Sequence, residues 1–293
     1  MKAGEAIEFM AQGSGIIGLS EWLHTPAGRY LLAWEQEHLD VAVADVFGYH
    51  ALQLGLPELL ALRANRMPHR WVASESLEAP IPPRPADSHP EPVDPFADTD
   101  PAPLARAAVA LHCDFDTLPF DAQSLDLVVL PHALELARDP HLALREVERV
   151  LVPEGRVVVI GFNPASLWGV RQRLGQLRRL APGAPSRRFL PESGEFIGYR
   201  RLRDWLRLLS FEVEAGRFGC YRPPVASERW LARFAWTESV GERWWPVFGA
   251  AYFVVAVKRV RGMRLVGLVR EQRSLPRTAP AVVASSHHQG DAR

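Results

Sequence analysis

The sequence of 293 residues has few cysteines, no excess charge of either sign and no long apolar run. Two cysteines, Cys113 and Cys220, are too few for a disulfide framework, and their spacing does not suggest zinc. The 34 basic and 34 acidic residues balance, so overall charge indicates neither nucleic acid nor an anionic membrane as partner. The apolar run Phe248–Val257 is about half the ~20 residues of a membrane span. We therefore expect a cytoplasmic protein without a membrane span.

The stretch from Asp114 to Asn163 has the pattern of a βαβ unit. Two short, almost continuous apolar runs, Leu125–Leu130 and Arg156–Phe162, predict strands buried on both faces. Between them, Asp139 and Pro140 predict a helix start, with an N-cap residue followed by proline at the first helical position. Such a unit belongs to a parallel sheet covered by helices on both faces.

Apolar patterns on either side of this unit extend the same architecture. Thr25 and Pro26 predict a helix start within a helical region 5–38. The other predicted strands are Val41–Phe47, His69–Ser74, Ala107–Leu111, Phe211–Arg217 and Ala251–Arg259, and the later predicted helices cover 169–180, 201–209 and 228–245. Alternating strands and helices of this kind predict a doubly wound α/β protein.

The composition predicts one domain over residues 1–273. Residues 77–107 are rich in proline and aspartate and cannot bury enough apolar surface to order themselves, so we expect a flexible insertion between two strands. The polar segment 274–293 is expected to be a disordered tail.

Five short motifs follow one another in order through the βαβ region. Their residues are Asp114, Leu118, Pro119 and Phe120; Ser124, Asp126 and Val128; His132, Leu134 and Glu135; Asp139 and Pro140; and Leu144, Glu146, Arg149, Val150, Leu151, Pro153 and Gly155. They resemble the methyltransferase type 11 branch of the class I S-adenosylmethionine-dependent methyltransferases. That family's pattern runs D-A-x-x-L-P-F, S-F-D-x-V, H-x-L-E-H, D-P and L-x-E-x-x-R-V-L-x-P-G-G.

The resemblance implies a Rossmann-like sheet of seven strands, with helices on both faces and the last strand antiparallel beside the fifth. It also implies S-adenosyl-L-methionine as cofactor and methyl transfer to an unidentified acceptor, either a small molecule or a carrier-bound substrate. It further implies a lid or substrate region at residues 163–250, and it gives no indication of nucleic acid as a partner.

Several residues are expected to hold the adenosine part of that cofactor. By resemblance, Asp114 accepts a hydrogen bond from the adenine amino group and the Phe115 amide faces the ring. Glu75, after the second strand, is placed to accept from the ribose hydroxyls. Leu130 and Pro131 follow the fourth strand at the edge where ligands bind in such sheets. An ordinary turn aspartate and an exposed glutamate are the structural alternatives for Asp114 and Glu75.

The resemblance weakens at the turn after the predicted first strand. The family carries D/E-x-G-x-G-x-G there, whereas this chain reads DVFGYH from Asp45 to His50. Asp45 is a candidate for the methionine amine, with Gly48 and Tyr49 as neighbouring contacts, but Phe47 stands where glycine is expected. A structural Asp45 is equally compatible with the pattern. The shortened turn favours a second hypothesis, a catalytically silent binding or interaction protein with the same fold.

His132 is the candidate general base, because an imidazole titrates near neutral pH; the alternative is a histidine that packs or caps the next helix. The Arg-rich segment is a candidate site for a phosphate, a carboxylate or an acidic carrier protein, or else a solvated helix face. Its members are Arg171, Arg173, Arg178, Arg179, Arg187, Arg188, Arg200, Arg201 and Arg203. The tryptophans at 230, 236, 244 and 245 are candidates either for lining an acceptor pocket or for filling the core, and we expect at least half in the core. A nicotinamide-dependent oxidoreductase is disfavoured because no G-x-G-x-x-G follows a strand.

Overall fold

A computed structural model describes residues 15–75, 104–178, 189–191, 196–225 and 227–259. Seven strands in these residues form one sheet, in the order β3-β2-β1-β4-β5-β7-β6. Strands β1 to β5 are parallel, and β7 runs antiparallel between β5 and β6. Their bounds are β1 His50–Leu54, β2 His69–Ser74, β3 Leu111–His112, β4 Leu125–Pro131, β5 Leu151–Phe162, β6 Phe211–Gly219 and β7 Ala251–Lys258. The predicted doubly wound sheet of seven strands is confirmed.

Helices cover both faces of this sheet. Successive strand residues point to opposite faces, so Val128 and Val159 join one buried cluster while Val129 and Ile160 join the other. The described helices are α1 Gly15–Leu23, α2 Pro26–Ala44, α3 Ala133–Leu136, α4 Pro140–Val150, α5 Leu167–Arg178, α6 Tyr199–Leu208, α7 Glu228–Arg233 and α8 Thr237–Trp244, followed by a 3₁₀ turn at Pro246–Phe248. Among the described residues, no helix is both long and apolar enough to cross a membrane.

The central βαβ unit has the predicted form. Helix α4 begins at Pro140, and the Asp139 side chain accepts hydrogen bonds from the amides of His141 (2.9 Å) and Leu142 (3.1 Å). Strand β4 covers the predicted run and adds one residue. Strand β5 begins at Leu151, directly after the helix and earlier than the predicted Arg156. The helix start at Asp139 and Pro140 and the two apolar runs thus form the helix and strands that they predict.

The predicted first strand, Val41–Phe47, is wrong. Helix α2 continues through Ala44 because its buried face keeps a helical period, with Leu31, Leu39 and Val43 all inaccessible to solvent. The first strand is instead His50–Leu54, a run of five residues without a β-branched side chain. The turn from Asp45 to Tyr49 therefore precedes the first strand, whereas the predicted glycine-rich turn should follow it.

Other predicted segments have mixed outcomes. Strand β2 matches its prediction, while β3 is short and later than the predicted Ala107–Leu111. Residues 76–103, most of the predicted insertion, and the predicted tail 274–293 lie outside the described residues. The prediction that at least half of four tryptophans are core residues is wrong, because their exposed fractions are 52% (Trp230), 61% (Trp236), 70% (Trp244) and 57% (Trp245).

Replacing the helix cap of α4 should cost a small, measurable amount of stability. We expect Asp139→Ala to lower the free energy of unfolding by about 1 kcal/mol, because two amides of the first turn lose their acceptor. Urea denaturation measures this change. Asp204→Ala, at an exposed position in α6, is the matched control and should change stability by less than about 0.5 kcal/mol. Equal stability of the two variants would contradict the capping role.

Candidate active site at the carboxyl edge of the sheet

Acidic side chains gather where the parallel strands β2 and β3 end. Glu75 follows β2, and Asp114 follows β3 after Cys113. Partial burial, reinforced by the charge of Asp114, raises the pKa of Glu75 above its usual value, while Arg138 acts in the opposite direction. Burial and the same two carboxylates raise the pKa of the Cys113 thiol to about 11. The structure thus brings together Glu75 and Asp114, as the sequence predicts, in one acidic group.

An apolar floor lies beside these carboxylates. Phe115 is 1% exposed, and its ring lies 3.6 Å from the point where a Cβ on Gly55 would stand. Leu130 and Pro131 end β4 and are buried as well. Gly55 follows β1 with φ of +78°, a conformation that favours glycine. Phe115, Leu130 and Pro131 therefore support the edge from beneath, with the Phe115 side chain directed into the core.

The true turn after β1 begins at Gly55 and was not predicted; the segment that corresponds to the family pattern starts at Gln53, near the end of β1. Aligned by position with the family pattern D/E-x-G-x-G-x-G, Gln53 occupies the acidic position and Gly55 the first glycine, while Pro57 and Leu59 stand at the other two. The available signal was Gly55-Leu56-Pro57 directly after an apolar run. Only one of the three glycines is present, so the departure from the family pattern persists at the correct turn.

The turn after β1 uses its polar groups internally. Gln53 is fully buried, and its Nε2 lies within 3.1 Å of the carbonyl oxygens of Gly55, Leu56 and Leu59. The Gly55 amide donates to the carbonyl of Ala73 at 2.7 Å. Residues 55–68 then form turns, where the βαβ pattern of the family would have a helix. No helix amino terminus therefore points at a ligand from this turn.

Further amides of the same turn are also occupied. The Leu60 amide donates to Gln36 of α2, and the Ala61 amide donates to Gln53 Oε1. The Leu59 amide donates to the Leu56 carbonyl at 3.1 Å, and Pro57 has no amide hydrogen. A carboxylate bound to the amides of Gly55, Leu59, Leu60 or Ala61 would therefore have to displace existing hydrogen bonds.

The residues predicted for the methionine end lie at the other edge of the sheet, where the parallel strands begin. The amides of Tyr49 and His50 donate to Asp126 Oδ2 at 2.8 and 2.9 Å, and Asp126 stands near the start of β4. Gly48 packs on the same carboxylate, since an added Cβ would lie 2.4 Å from Asp126 Cγ. Asp45 is the C-cap of α2 and is exposed. Strand β1 separates Asp45, Gly48 and Tyr49 from the carboxyl edge, so the expected placement of this turn is wrong.

His132 joins three parts of the fold through a buried charge cluster. Its Nε2 lies 2.8 Å from Glu35 Oε1 of α2, and its Nδ1 lies 2.8 Å from Glu135 Oε2 of α3. Glu135 Oε1 also accepts the Phe162 amide of β5 at 2.6 Å. The His132 side chain is completely buried, and its backbone φ of 54° is left-handed. Both ring nitrogens are therefore engaged by carboxylates.

The electrostatics of this cluster do not suit a general base. Burial alone would lower the pKa of His132, but the charges and hydrogen bonds of Glu35 and Glu135 outweigh it and raise that pKa to about 10. Burial raises the pKa of Glu135, against the effect of the imidazolium. At neutral pH the ring is a buried imidazolium with no free nitrogen to accept a proton. The arrangement supports a structural role, as in the packing alternative.

Comparisons with known proteins agree with the fold and the motifs. Residues 94–159 match the family model described as a methyltransferase domain. A solved chain from the complex of the Haloferax volcanii Trm112 methyltransferase activator with a protein described as a methyltransferase aligns with a TM-score of 0.52. The alignment has 17% identity and covers 85% of this chain and 99% of that one. The class I methyltransferase fold is thereby confirmed.

Two curated relatives extend the comparison at the level of sequence. An Escherichia coli protein described as uncharacterized, YafS, is 34% identical over 172 residues, covering 57% of this chain and 62% of that protein. The malonyl-[acyl-carrier protein] O-methyltransferase of Halorhodospira halophila is 39% identical over 70 residues, covering 24% of each chain. The aligned region thus spans less than two thirds of either relative.

The His132 cluster generates a prediction for the pH dependence of stability. The folded-state pKa of His132, about 10, lies above its ordinary 6.5, so its contribution is present below pH 6.5 and is lost as pH rises towards 10. The raised pKa of Glu135 acts in the same direction. We expect urea denaturation to show stability falling over this range, and falling less steeply in Glu35→Gln.

Comparing wild type with Glu35→Gln removes the contribution of other groups that titrate at alkaline pH. Glu212→Gln, on exposed strand β6, is the matched carboxylate control and should keep the wild-type slope. If the free energy of unfolding fell with pH at the same rate in wild type and in Glu35→Gln, the cluster would not hold a proton on His132.

Proposed function

We propose that this chain, which has the class I methyltransferase fold, is an S-adenosylmethionine-dependent methyltransferase acting on a small or carrier-bound acceptor. The observation that carries the proposal is the pairing of Glu75 and Asp114 at the carboxyl edge, beside Gly55. This is the edge at which doubly wound sheets bind nucleotides. The methyltransferase domain match over residues 94–159 includes Asp114 and the motifs that follow it.

The residues of this edge fit the adenosine half of the cofactor. In our proposal the Glu75 carboxylate accepts hydrogen bonds from the ribose hydroxyls, and Asp114 accepts one from the adenine amino group, with the Phe115 amide beside the ring. Carboxylates are acceptors only, which matches donors of this kind. Gly55 lacks a Cβ and allows a ligand to approach the backbone closely. Leu130 and Pro131 close the site from below.

The methionine half fits the described residues less well. The turn after β1 has four of its amides engaged and is followed by further turns instead of a helix, so any contact there differs from the glycine-rich pattern. The cofactor, when bound, supplies an electrophilic methyl group on a sulfonium. The protein's contribution is then positioning of the acceptor in line with that group, which can supply most of the acceleration. We assign His132 no proton transfer.

The names of two partial relatives support the proposed class of acceptor. The partial relatives include a malonyl-[acyl-carrier protein] O-methyltransferase and a demethylmenaquinone methyltransferase, the latter from Chlamydia pneumoniae. These names are compatible with a carrier-bound or a small acceptor for this chain.

A catalytically silent relative is the second candidate function. The specific observation in its favour is the turn after β1, where Pro57 and Leu59 stand at two glycine positions and Gln53 replaces the acid. A protein of this kind would keep the sheet and the acidic edge but would not hold the methionine end for transfer. Cofactor binding and methyl transfer distinguish the two candidates.

Calorimetric titration with S-adenosylhomocysteine tests the cofactor site. We expect saturable binding that Asp114→Ala weakens by roughly 10- to 100-fold, the effect of about 1.5–3 kcal/mol for a hydrogen bond to a charged group. Asp45→Ala is the matched control and should bind like wild type, because Asp45 lies at the opposite edge. The absence of heat with folded protein at millimolar ligand, or equal weakening by both variants, would contradict the proposed site.

Transfer of a labelled methyl group separates the enzyme from the silent relative. We expect the protein to transfer label from S-adenosylmethionine to a component of either the small-molecule or the protein fraction of a cell extract, and Asp114→Ala to reduce that transfer. Binding of S-adenosylhomocysteine without transfer to either fraction would favour the silent relative.

A further inference from the structure

Large apolar side chains project from the segment that joins β6 to β7. Within residues 227–248, six such side chains are at least half exposed: Trp230, Trp236, Trp244, Trp245, Val247 and Phe248. Trp230 lies on α7, Trp244 on α8, and Val247 and Phe248 on the 3₁₀ turn, while Trp236 and Trp245 flank α8; Leu231 of α7 is directed into the core. Single exposed apolar residues are normal in proteins, but a cluster of large ones marks an interaction site.

Helix α5 adds an exposed apolar stripe to this segment. Leu167, Val170 and Leu174 are 59%, 45% and 53% exposed and share one helix face at positions i, i+3 and i+7. The opposite side of the helix buries Trp168 and Gln172. An ordinary surface helix has one apolar stripe, which faces the core. Helix α5 differs because it presents apolar residues on two sides.

Hydrogen bonds connect α5, and Asn163 shortly before it, to the segment between β6 and β7. Trp168 Nε1 donates to the Arg222 carbonyl at 2.7 Å, and Arg171 donates to the Pro224 carbonyl. Just before α5, Asn163 Nδ2 donates to the Val247 carbonyl at 2.8 Å. We call the exposed side chains of α5, α7, α8 and the 3₁₀ turn the aromatic-basic surface.

The charge around α5 is of one sign. Between Asn163 and Pro191 the sequence has six arginines and no acidic residue. Of these, Arg171 and Arg173 lie at exposed positions of α5, next to the apolar stripe. In the β6–β7 segment, by contrast, residues 227–248 carry three arginines and three glutamates. The overall charge balance of the chain therefore conceals a locally cationic helix.

We propose that the aromatic-basic surface docks this protein onto the surface of an anionic membrane. Tryptophan, phenylalanine and leucine beside arginines are the side chains with which interfacial helices enter the boundary between headgroups and acyl chains. Tryptophan rings favour this depth because they combine an apolar body with a polar N–H. Anionic headgroups complement the arginines of α5.

The shape of the surface favours lipid over an acidic protein as the occupant. Exposed fractions of 50–70% for Trp244, Trp245 and Phe248 mean that these side chains project outwards. A protein partner would need matching pockets for each projecting ring, whereas lipid rearranges around them. Charge pairing with an acidic protein would also not require six exposed apolar side chains.

The topology directs the docked surface towards the candidate site. Strand β7 is antiparallel to β5, and Ala251 pairs with Phe162, so β7 begins at the carboxyl edge. Strand β6 ends at the same edge, where Gly219 pairs with Ala251. Docking would therefore turn the carboxyl edge, and not the opposite one, towards the bilayer. The docking proposal itself does not depend on methyl transfer.

Vesicle flotation with the full chain tests this proposal. We expect binding to vesicles of phosphatidylcholine mixed with phosphatidylglycerol, weaker binding to phosphatidylcholine alone, and a further loss at high salt because screening weakens the arginine contacts. A blue shift of tryptophan fluorescence should accompany binding. The double variant Trp244→Ser with Trp245→Ser should lower the vesicle-bound fraction at least about tenfold, since interfacial affinity scales with buried apolar area.

Matched controls separate docking from general effects. Phe47→Ser removes an aromatic side chain that is 80% exposed at the opposite edge, and it should bind vesicles like wild type. Arg173→Glu should weaken binding to anionic vesicles, whereas Arg207→Glu, near the start of β6, should not. Circular dichroism and thermal unfolding establish that each variant is folded.

Three results would overturn the proposal. One is failure of the folded wild-type protein to float with anionic vesicles at low salt. Another is equal binding by the double tryptophan variant and the Phe47→Ser control. The third is tryptophan-dependent binding to an acidic acyl carrier protein together with no binding to vesicles, which would assign the surface to a protein partner.

Discussion

The buried cluster of Glu35, His132 and Glu135 is the constraint on which the carboxyl edge depends. It links α2 to the end of β4 and, through the Phe162 amide, to β5. Removing one member of a buried ion pair costs about 3–5 kcal/mol, because the remaining charge stays without compensation. The cluster therefore fixes the left-handed backbone at His132, and with it the direction in which the chain leaves β4. A residue predicted to carry protons in catalysis instead holds the site in place.

The parts of the structure that could be predicted from the sequence are those with strong local signals. Strands β2 and β4 and the start of α4 follow from local signals, namely apolar runs and the cap formed by Asp139 with Pro140. The first strand could not be found in the same way. Val41–Ala44 are strand-like residues that stay helical because Val43 continues the buried face of α2 after Leu31 and Leu39. His50–Leu54 lacks β-branched residues, yet it is a strand because it pairs with β2 and β4 on both sides.

The candidate site shows the same division. The position of Glu75 was predictable because it directly follows a strand, and that of Asp114 because it opens the first motif shared with the family; the strand ends of a parallel sheet meet at one edge. The turn after β1 could not be predicted, because its position depends on a strand that the sequence pattern misplaced. Gln53 instead stabilises the turn from within. Its buried amide gathers three carbonyl oxygens, so the turn is held by a side chain and needs no helix behind it.

Charge is distributed over the carboxyl edge in a way that composition conceals. Glu75 and Asp114 make the sheet edge near β2 and β3 acidic, whereas α5, beyond β5, carries arginines beside an exposed apolar stripe. An acidic edge suits donors such as hydroxyl and amino groups, and a basic, aromatic rim suits anionic or amphiphilic surfaces. The sheet order keeps the two apart, because β1 and β4 lie between β2 and β5. One edge can therefore present a polar cofactor site and an apolar docking surface without either chemistry disturbing the other.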